Sequence, residues 1–313
     1  MRNMSIEYDW NAAIDRLEGA YAPGTLRAYR RDFALFEEWC HEEGLQPLPA
    51  ASETIAAFVE FSAQSIRPHT IKRRLQGIRK VHRLLRLPNS CDDEDVLIAL
   101  RRCFRAKGRR QRQALGMTRE IKEKLIAACD AHSLQGLRNR ALINLAYDLL
   151  CRRSELVALR VEDLEWCDDG GITLLVRRTK SDPLGDGRLA YASPEAADCL
   201  RAWLTAAKID SGPLFRGIRN GEAHYNRMSP GSVGLILKTV ARDAGLPEAT
   251  IAGLSGHSAR VGAAQDLACD GANLLVIMTA GRWKSVATVA RYIEEAQVRR
   301  IGLLRKRDLE RAA

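Results

Sequence analysis

The sequence predicts a mainly α protein in two domains: a small N-terminal bundle of four to five helices, and a larger, mostly helical C-terminal domain holding a small β-sheet. Three observations carry this expectation. Apolar residues recur at helical spacing along most of the chain, its 313 residues exceed what one helical core usually spans, and a single strand-like ribbon interrupts the second half.

Taken in order, Thr25 opens a helical pattern through Leu26, Tyr29, Phe33, Phe36 and Cys40, and residues 53–62 supply a second helix. Between Pro68 and Pro88, Ile71, Leu75, Ile78 and Leu85 repeat the device, and 92–105 forms a further helix. The first domain is therefore set at 1–107. From Arg101 to Gln113 seven of thirteen residues are basic and none is acidic, so a basic linker is placed at 108–117. The second domain, 118–313, begins with a helix at Thr118 and continues with an apolar helix from Arg138 to Leu150. Residues 172–179 and 188–193 are strand-like and flank the turn-rich run Asp182-Pro-Leu-Gly-Asp-Gly, which predicts a β-ribbon with Lys180 near its tip.

Composition narrows the class. With 49 Lys plus Arg against 39 Asp plus Glu, the net charge of +10 favours a polyanionic partner, and a basic run at a domain junction is where a duplex backbone would be bridged. No apolar run reaches the roughly 18 residues of a membrane span, and the N-terminus lacks the apolar core of a signal peptide, so a cytoplasmic chain without membrane contact is expected. The eight cysteines have no Cys-x-x-Cys spacing and read as reduced thiols. Neither a phosphate-binding glycine loop nor a carboxylate cluster for metal ions is present, so no cofactor and no metal are expected.

The informative residues lie in one order: Arg152 in Cys-Arg-Arg-Ser-Glu, Lys180, His257 and Arg260 in Ser-Gly-His-Ser-Ala-Arg-Val-Gly, Trp283 in Gly-Arg-Trp-Lys, and Tyr292 in Ala-Arg-Tyr-Ile. Attack on a phosphodiester builds charge on the non-bridging oxygens, which two guanidinium forks can meet, and Arg152 and Arg260 are that pair. At i, i+3 spacing His257 and Arg260 would share a helix face, placing the imidazole to bond the same phosphate or take the nucleophile's proton. A tyrosine hydroxyl has a pKa of about 10 and needs such cations to act as a nucleophile. Lys180 could protonate a leaving oxygen, Trp283 could donate its indole N–H or simply pack, and Glu155 could brace Arg152. Taken singly, His257 with Arg260, Lys180, Glu155 and Tyr292 are each more often structural, and Trp283 is evenly balanced.

Together these residues resemble the active site of the tyrosine site-specific recombinases of the phage integrase family, most of all its Cre-like branch; the block from Ser255 to Ala264 and the nine-residue step from Trp283 to Tyr292 carry the match. The resemblance covers the chain from about Thr25 onward. It implies a SAM-like core-binding domain and a catalytic domain clamping double-stranded DNA, and a homotetramer on two sites with inverted-repeat arms. It also implies strand exchange through a 3′-phosphotyrosine and a Holliday junction. It assigns major-groove contacts to Arg27, His69 and Arg73, with Lys72 and Arg74 nearer phosphates and Lys107, Arg109 and Arg110 on the junction backbone. Val298, Ile301, Leu304 and Leu309 give the tail an amphipathic pattern that would suit a helix folded on its own domain; the resemblance implies that it docks into the neighbouring protomer instead. A bacterial, phage or plasmid chain acting on the nucleoid, without accessory proteins, is expected. Arg153 and the ribbon's own turn sequence depart from the family pattern. A type IB topoisomerase, a hairpin telomere resolvase and a non-catalytic DNA-binding relative remain the alternatives.

Overall fold

The computed structural model of the protein describes residues 8–110, 113–177, 187–294 and 296–298. The chain divides into two compact units, Met1–Arg112 and Gln113–Ala313. The division falls inside the segment read as linker, and residues 113–117 already belong to the second unit. There Leu115 N–H donates to Gly253 O at 2.9 Å and Met117 N–H to Ser258 O at 2.8 Å, while the Met117 side chain is fully buried.

The first unit contains α1 (Trp10–Asp15), α2 (Pro23–Glu42), α3 (Ser52–Ser65), α4 (Pro68–Leu84) and α5 (Glu94–Lys107). Local chemistry sets several boundaries. Pro23 and Pro68 stand in the first turns, where a missing N–H costs nothing, and Asp93 caps α5 by accepting from Asp95 N–H. The stripe foreseen on α2 faces inward at Leu26, Phe33, Phe36 and Cys40, with Tyr29 half-buried beside it. Aromatic rings dominate the interior: Phe36 meets Phe58 edge to face at 5.1 Å and Trp10 lies 4.9 Å from Phe33. The short helix α1, which the sequence pattern did not single out, contributes Trp10 and Ile14 to this core.

The second unit runs through α6 (Arg119–Ala128), α7 (Leu134–Asp148), α8 (Arg153–Leu156), β1 (Leu164–Trp166), β2 (Ile172–Val176), β3 (Arg188–Ala192), α9 (Pro194–Ala206), β4 (Arg216–Arg219), β5 (Glu222–Arg227), α10 (Pro230–Asp243), α11 (Glu248–Gly253), α12 (Ser258–Cys269) and α13 (Leu274–Gly281). Residues 286–294 are helical again. The expected ribbon pairs antiparallel, Ile172 opposite Ala192 and Val176 opposite Arg188, and β1 extends it to three strands. Ile172, Leu174 and Val176 point into a core that α7, α9 and α10 complete with Leu142, Leu145, Leu200, Trp203 and Leu237. Burying Trp203 is compatible with its indole because Nε1 donates to Leu214 O at 2.8 Å. A second hairpin, β4–β5, turns at Asn220-Gly221, both with positive φ, the backbone a tight two-residue turn demands.

Candidate active site

Three elbows of the second unit carry the site. The first lies between α7 and α8, where Leu150 takes positive φ and the chain reverses through Cys151 and Arg152 into α8. Glu155 closes this elbow from within. Its carboxylate accepts the Arg152 N–H at 3.0 Å and Arg152 Nη1 at 2.6 Å, so one side chain caps the short helix and holds the guanidinium that precedes it. Glu155 is 3% exposed whereas Arg152 is 22% exposed, so the pair presents its cation toward solvent. Arg153 is exposed and lies against Gly256, where a Cβ would come within 2.9 Å of its Cδ. Of the two adjacent arginines, Arg152 is the one held by Glu155.

The second elbow enters α12. His257 stands at the N-cap position of the helix that begins at Ser258, with φ −107° and ψ −6°, and its carbonyl accepts the Val261 N–H at 3.1 Å, so it precedes Arg260 by one turn in helical register. The imidazole remains at the surface and Arg260 turns inward. Partial burial, and then the positive charges of Arg153, Arg260 and Arg152, lower the His257 pKa, which keeps the ring neutral near pH 7. Arg260 is 3% exposed. It donates from Nη1 to Leu150 O at 2.6 Å and from Nη2 to Gly281 O, which ties all three elbows together. Burial first, then Arg152 and Arg282, lower its pKa to about 10, still charged at neutral pH.

The third elbow follows α13. Trp283 is buried, with the Arg260 guanidinium 4.3 Å from its ring and the Tyr292 ring at 5.6 Å on a 53° tilt. Tyr292 is half-buried on the last helical segment, and its carbonyl accepts from Gln265 Nε2 at 3.2 Å. Arg152, Glu155, His257, Arg260, Trp283 and Tyr292 therefore converge from segments up to 140 residues apart in sequence. Lys180 lies outside the described residues, as do Ile301, Leu304 and Leu309 of the tail; Val298 is helical and exposed.

Two arginines that the sequence reading passed over belong to the same neighbourhood. Arg282 places Nη2 3.0 Å from Glu155 Oε2, and Arg188 donates to Thr279 O at 2.6 Å and Ala280 O at 3.1 Å. The signal for Arg282 was its position beside Trp283, and for Arg188 its opening of β3. Asp266 also escaped notice: it accepts from Tyr147 Oη at 2.5 Å and Arg119 N–H at 2.6 Å, so the tyrosine read as core has a polar partner.

In the first unit the expected DNA contacts differ in availability. Arg27, His69, Lys72, Arg109 and Arg110 are exposed. Arg73 is exposed but ion-paired at 2.6 Å with the buried Asp32, and Arg74 is half-buried with its Nε desolvated. Lys107 spends Nζ on the carbonyls of Gln64 and Ile66, both at 3.3 Å, and His69 meets Arg109 O at 3.0 Å.

Comparison with known proteins fits this geometry. An integrase/recombinase XerD homolog of Selenomonas ruminantium is 36% identical over 294 residues, covering 90% of this chain and 85% of its own. The Cre recombinase of Escherichia phage P1 is 30% identical over 278 residues, covering 82% and 79%. Among solved structures, the XerH site-specific recombinase in a post-cleavage complex with its difH substrate superposes with a TM-score of 0.65 at 16% identity, over 93% of this chain and 81% of that one. The pattern of the N-terminal SAM-like domain of phage integrases matches residues 16–87, and that of the phage integrase family matches residues 117–299. With more than half its length in that second match, and recombinases among relatives matched over most of their length, this chain belongs to the phage integrase family of tyrosine site-specific recombinases.

Proposed function

We propose that this recombinase cuts DNA with Tyr292, forming a covalent 3′-phosphotyrosine, and that strand exchange proceeds through a Holliday junction in a tetramer bound to two inverted-repeat sites. The observation that carries the reading is the cluster at the third elbow, in which Trp283 meets both the Arg260 guanidinium at 4.3 Å and the Tyr292 ring at 5.6 Å. A buried, carbonyl-anchored arginine next to a half-exposed tyrosine is suited to hold a phosphate against its hydroxyl.

In this reading the Tyr292 oxygen attacks the scissile phosphorus and the bond to the 5′ oxygen breaks. The phenolic proton passes to neutral His257 or to water through it, and the leaving oxygen takes a proton from Lys180. Two of the five N–H groups of Arg260 are taken by Leu150 O and Gly281 O, which fixes the fork and leaves the others for non-bridging oxygens. Arg152, held by Glu155, supplies the second fork. The phosphotyrosine conserves the energy of the broken ester, so attack by a 5′-hydroxyl from the other duplex reverses the step, releases Tyr292 and joins new strands. In the first unit Arg27, His69 and Arg73 face the major groove, and Lys72, Arg74, Lys107, Arg109 and Arg110 the phosphates.

The test is a nicked suicide duplex, drawn from the DNA flanking the coding sequence and incubated with the protein without nucleotide or metal. A covalent species on a denaturing gel that maps to Tyr292, and that Tyr292→Phe abolishes while binding the same DNA, is expected. Adduct formation undiminished in Tyr292→Phe removes that residue from its role. No adduct on DNA that the protein binds returns the chain to a non-catalytic DNA-binding role.

A further inference from the structure

Arg282 is the residue of the site that the proposed chemistry leaves without a task. Its backbone is left-handed, φ 58° and ψ 44°, a conformation that costs a non-glycine residue energy and persists where the surroundings over-determine it. What holds it there is the side chain. Only 7% of that side chain is exposed, and Nη2 lies 3.0 Å from Glu155 Oε2, 3.3 Å from Cys151 Sγ and 3.4 Å from Leu150 O.

Glu155 thereby serves two guanidiniums. Oε1 receives Arg152 Nη1, while Oε2 receives the Arg152 N–H and Arg282 Nη2. A buried carboxylate that faced Arg152 alone could take its fork with both oxygens, the bidentate geometry such pairs favour, and draw it away from a phosphate. Arg282, together with the Arg152 N–H, occupies the second oxygen and opposes this. It also binds the elbow before α8 to the elbow that carries Trp283, and so links the position of Arg152 to that of the segment leading to Tyr292.

We propose that Arg282 is a positioning residue for strand cleavage, which shares Glu155 with Arg152 and so leaves the Arg152 guanidinium free to meet the scissile phosphate. This rests on the reading of Tyr292 and Arg152 given above. The informative variant is Arg282→Gly, because glycine suits the left-handed backbone and the change removes the side chain without adding strain.

Two measurements separate the ideas. The first needs no DNA: arginine side-chain NMR of the full chain, following the Arg152 guanidinium. Arg282→Gly is expected to shift the Arg152 signals and slow rotation of its fork, as both Glu155 oxygens close on it; unchanged Arg152 signals overturn the proposal whether or not any DNA is cut. The second uses the nicked duplex on which the wild type forms its adduct. Arg282→Gly should slow single-turnover cleavage by on the order of tenfold or more, with half-saturating DNA unchanged within about twofold. Arg282→Lys should recover part of the rate. In a Glu155→Gln background Arg282→Gly should add little, since the two act as a unit. Wild-type cleavage by Arg282→Gly, or effects of the two changes that simply multiply, overturns the proposal. A wild type that forms no adduct overturns the Tyr292 reading alone.

Discussion

The interior of the first unit and the interior around the candidate site bury different chemistry. Around Phe33, Phe36, Trp39 and Phe58 the first unit packs ring on ring, and among its described residues the buried polar side chains are few: Asp32, Thr54, Ser62 and His82. Around the site the second unit buries Glu155, Arg260 and the Arg282 side chain, brought together from distant parts of the sequence. Apolar packing stabilises through area and tolerates a neighbour of similar size, whereas a desolvated guanidinium requires a carbonyl or carboxylate at a set place. The first unit is thus held by quantity of contact, and the site by the placement of a few acceptors.

The sharpest way to break this contrast is to remove one member from each side. Phe36→Ala should cost about 3–5 kcal/mol in urea unfolding, because a ring with several aromatic neighbours leaves a cavity they cannot fill. Glu155→Ala should cost somewhat less, about 3 kcal/mol, by stranding Arg282 in a desolvated place while Arg152 turns to water. If Glu155→Ala proves neutral while cleavage fails, the acid serves function alone and the contrast in stability does not hold.

A smaller effect compares two histidines whose pKa values are both lowered, chiefly by burial. His82 is fully buried, with Nδ1 donating to Ile78 O at 2.9 Å and Nε2 accepting from Ala50 N–H at 3.1 Å, so protonation removes an acceptor. Since the unfolded ring binds its proton first, this stability is fully present above about pH 6.5 and declines as pH falls from there through the lower folded value. Amide exchange at Ala50, corrected for its intrinsic pH dependence, should show protection falling with acid, and His82→Gln should flatten that slope. His257→Gln, whose ring reaches solvent, should leave it unchanged.

Much of this was legible in order and spacing. The α2 and α4 stripes, the ribbon and the succession Arg152, His257, Arg260, Trp283, Tyr292 follow from periodicity and local motif alone. The β4–β5 hairpin carried a readable signal, Asn220-Gly221, that was overlooked. Other features had no local signature. His257 and Arg260 sit three apart, yet the first is exposed and the second buried, and Arg73 reads as a free groove contact until Asp32, 41 positions earlier, is found beneath it.

By itself, the sequence determined the set of candidate site residues: a tyrosine, two forked cations and an imidazole in a fixed order within a helical, basic chain. Tertiary structure alone decided how those groups are held. Arg260 is fixed by the carbonyls of Leu150 and Gly281, Glu155 is divided between Arg152 and Arg282, and Trp283 meets both the Arg260 cation and the Tyr292 ring. The physical reason is that a hydrogen-bond acceptor for a buried guanidinium can be any backbone carbonyl, and a carbonyl has no sequence identity.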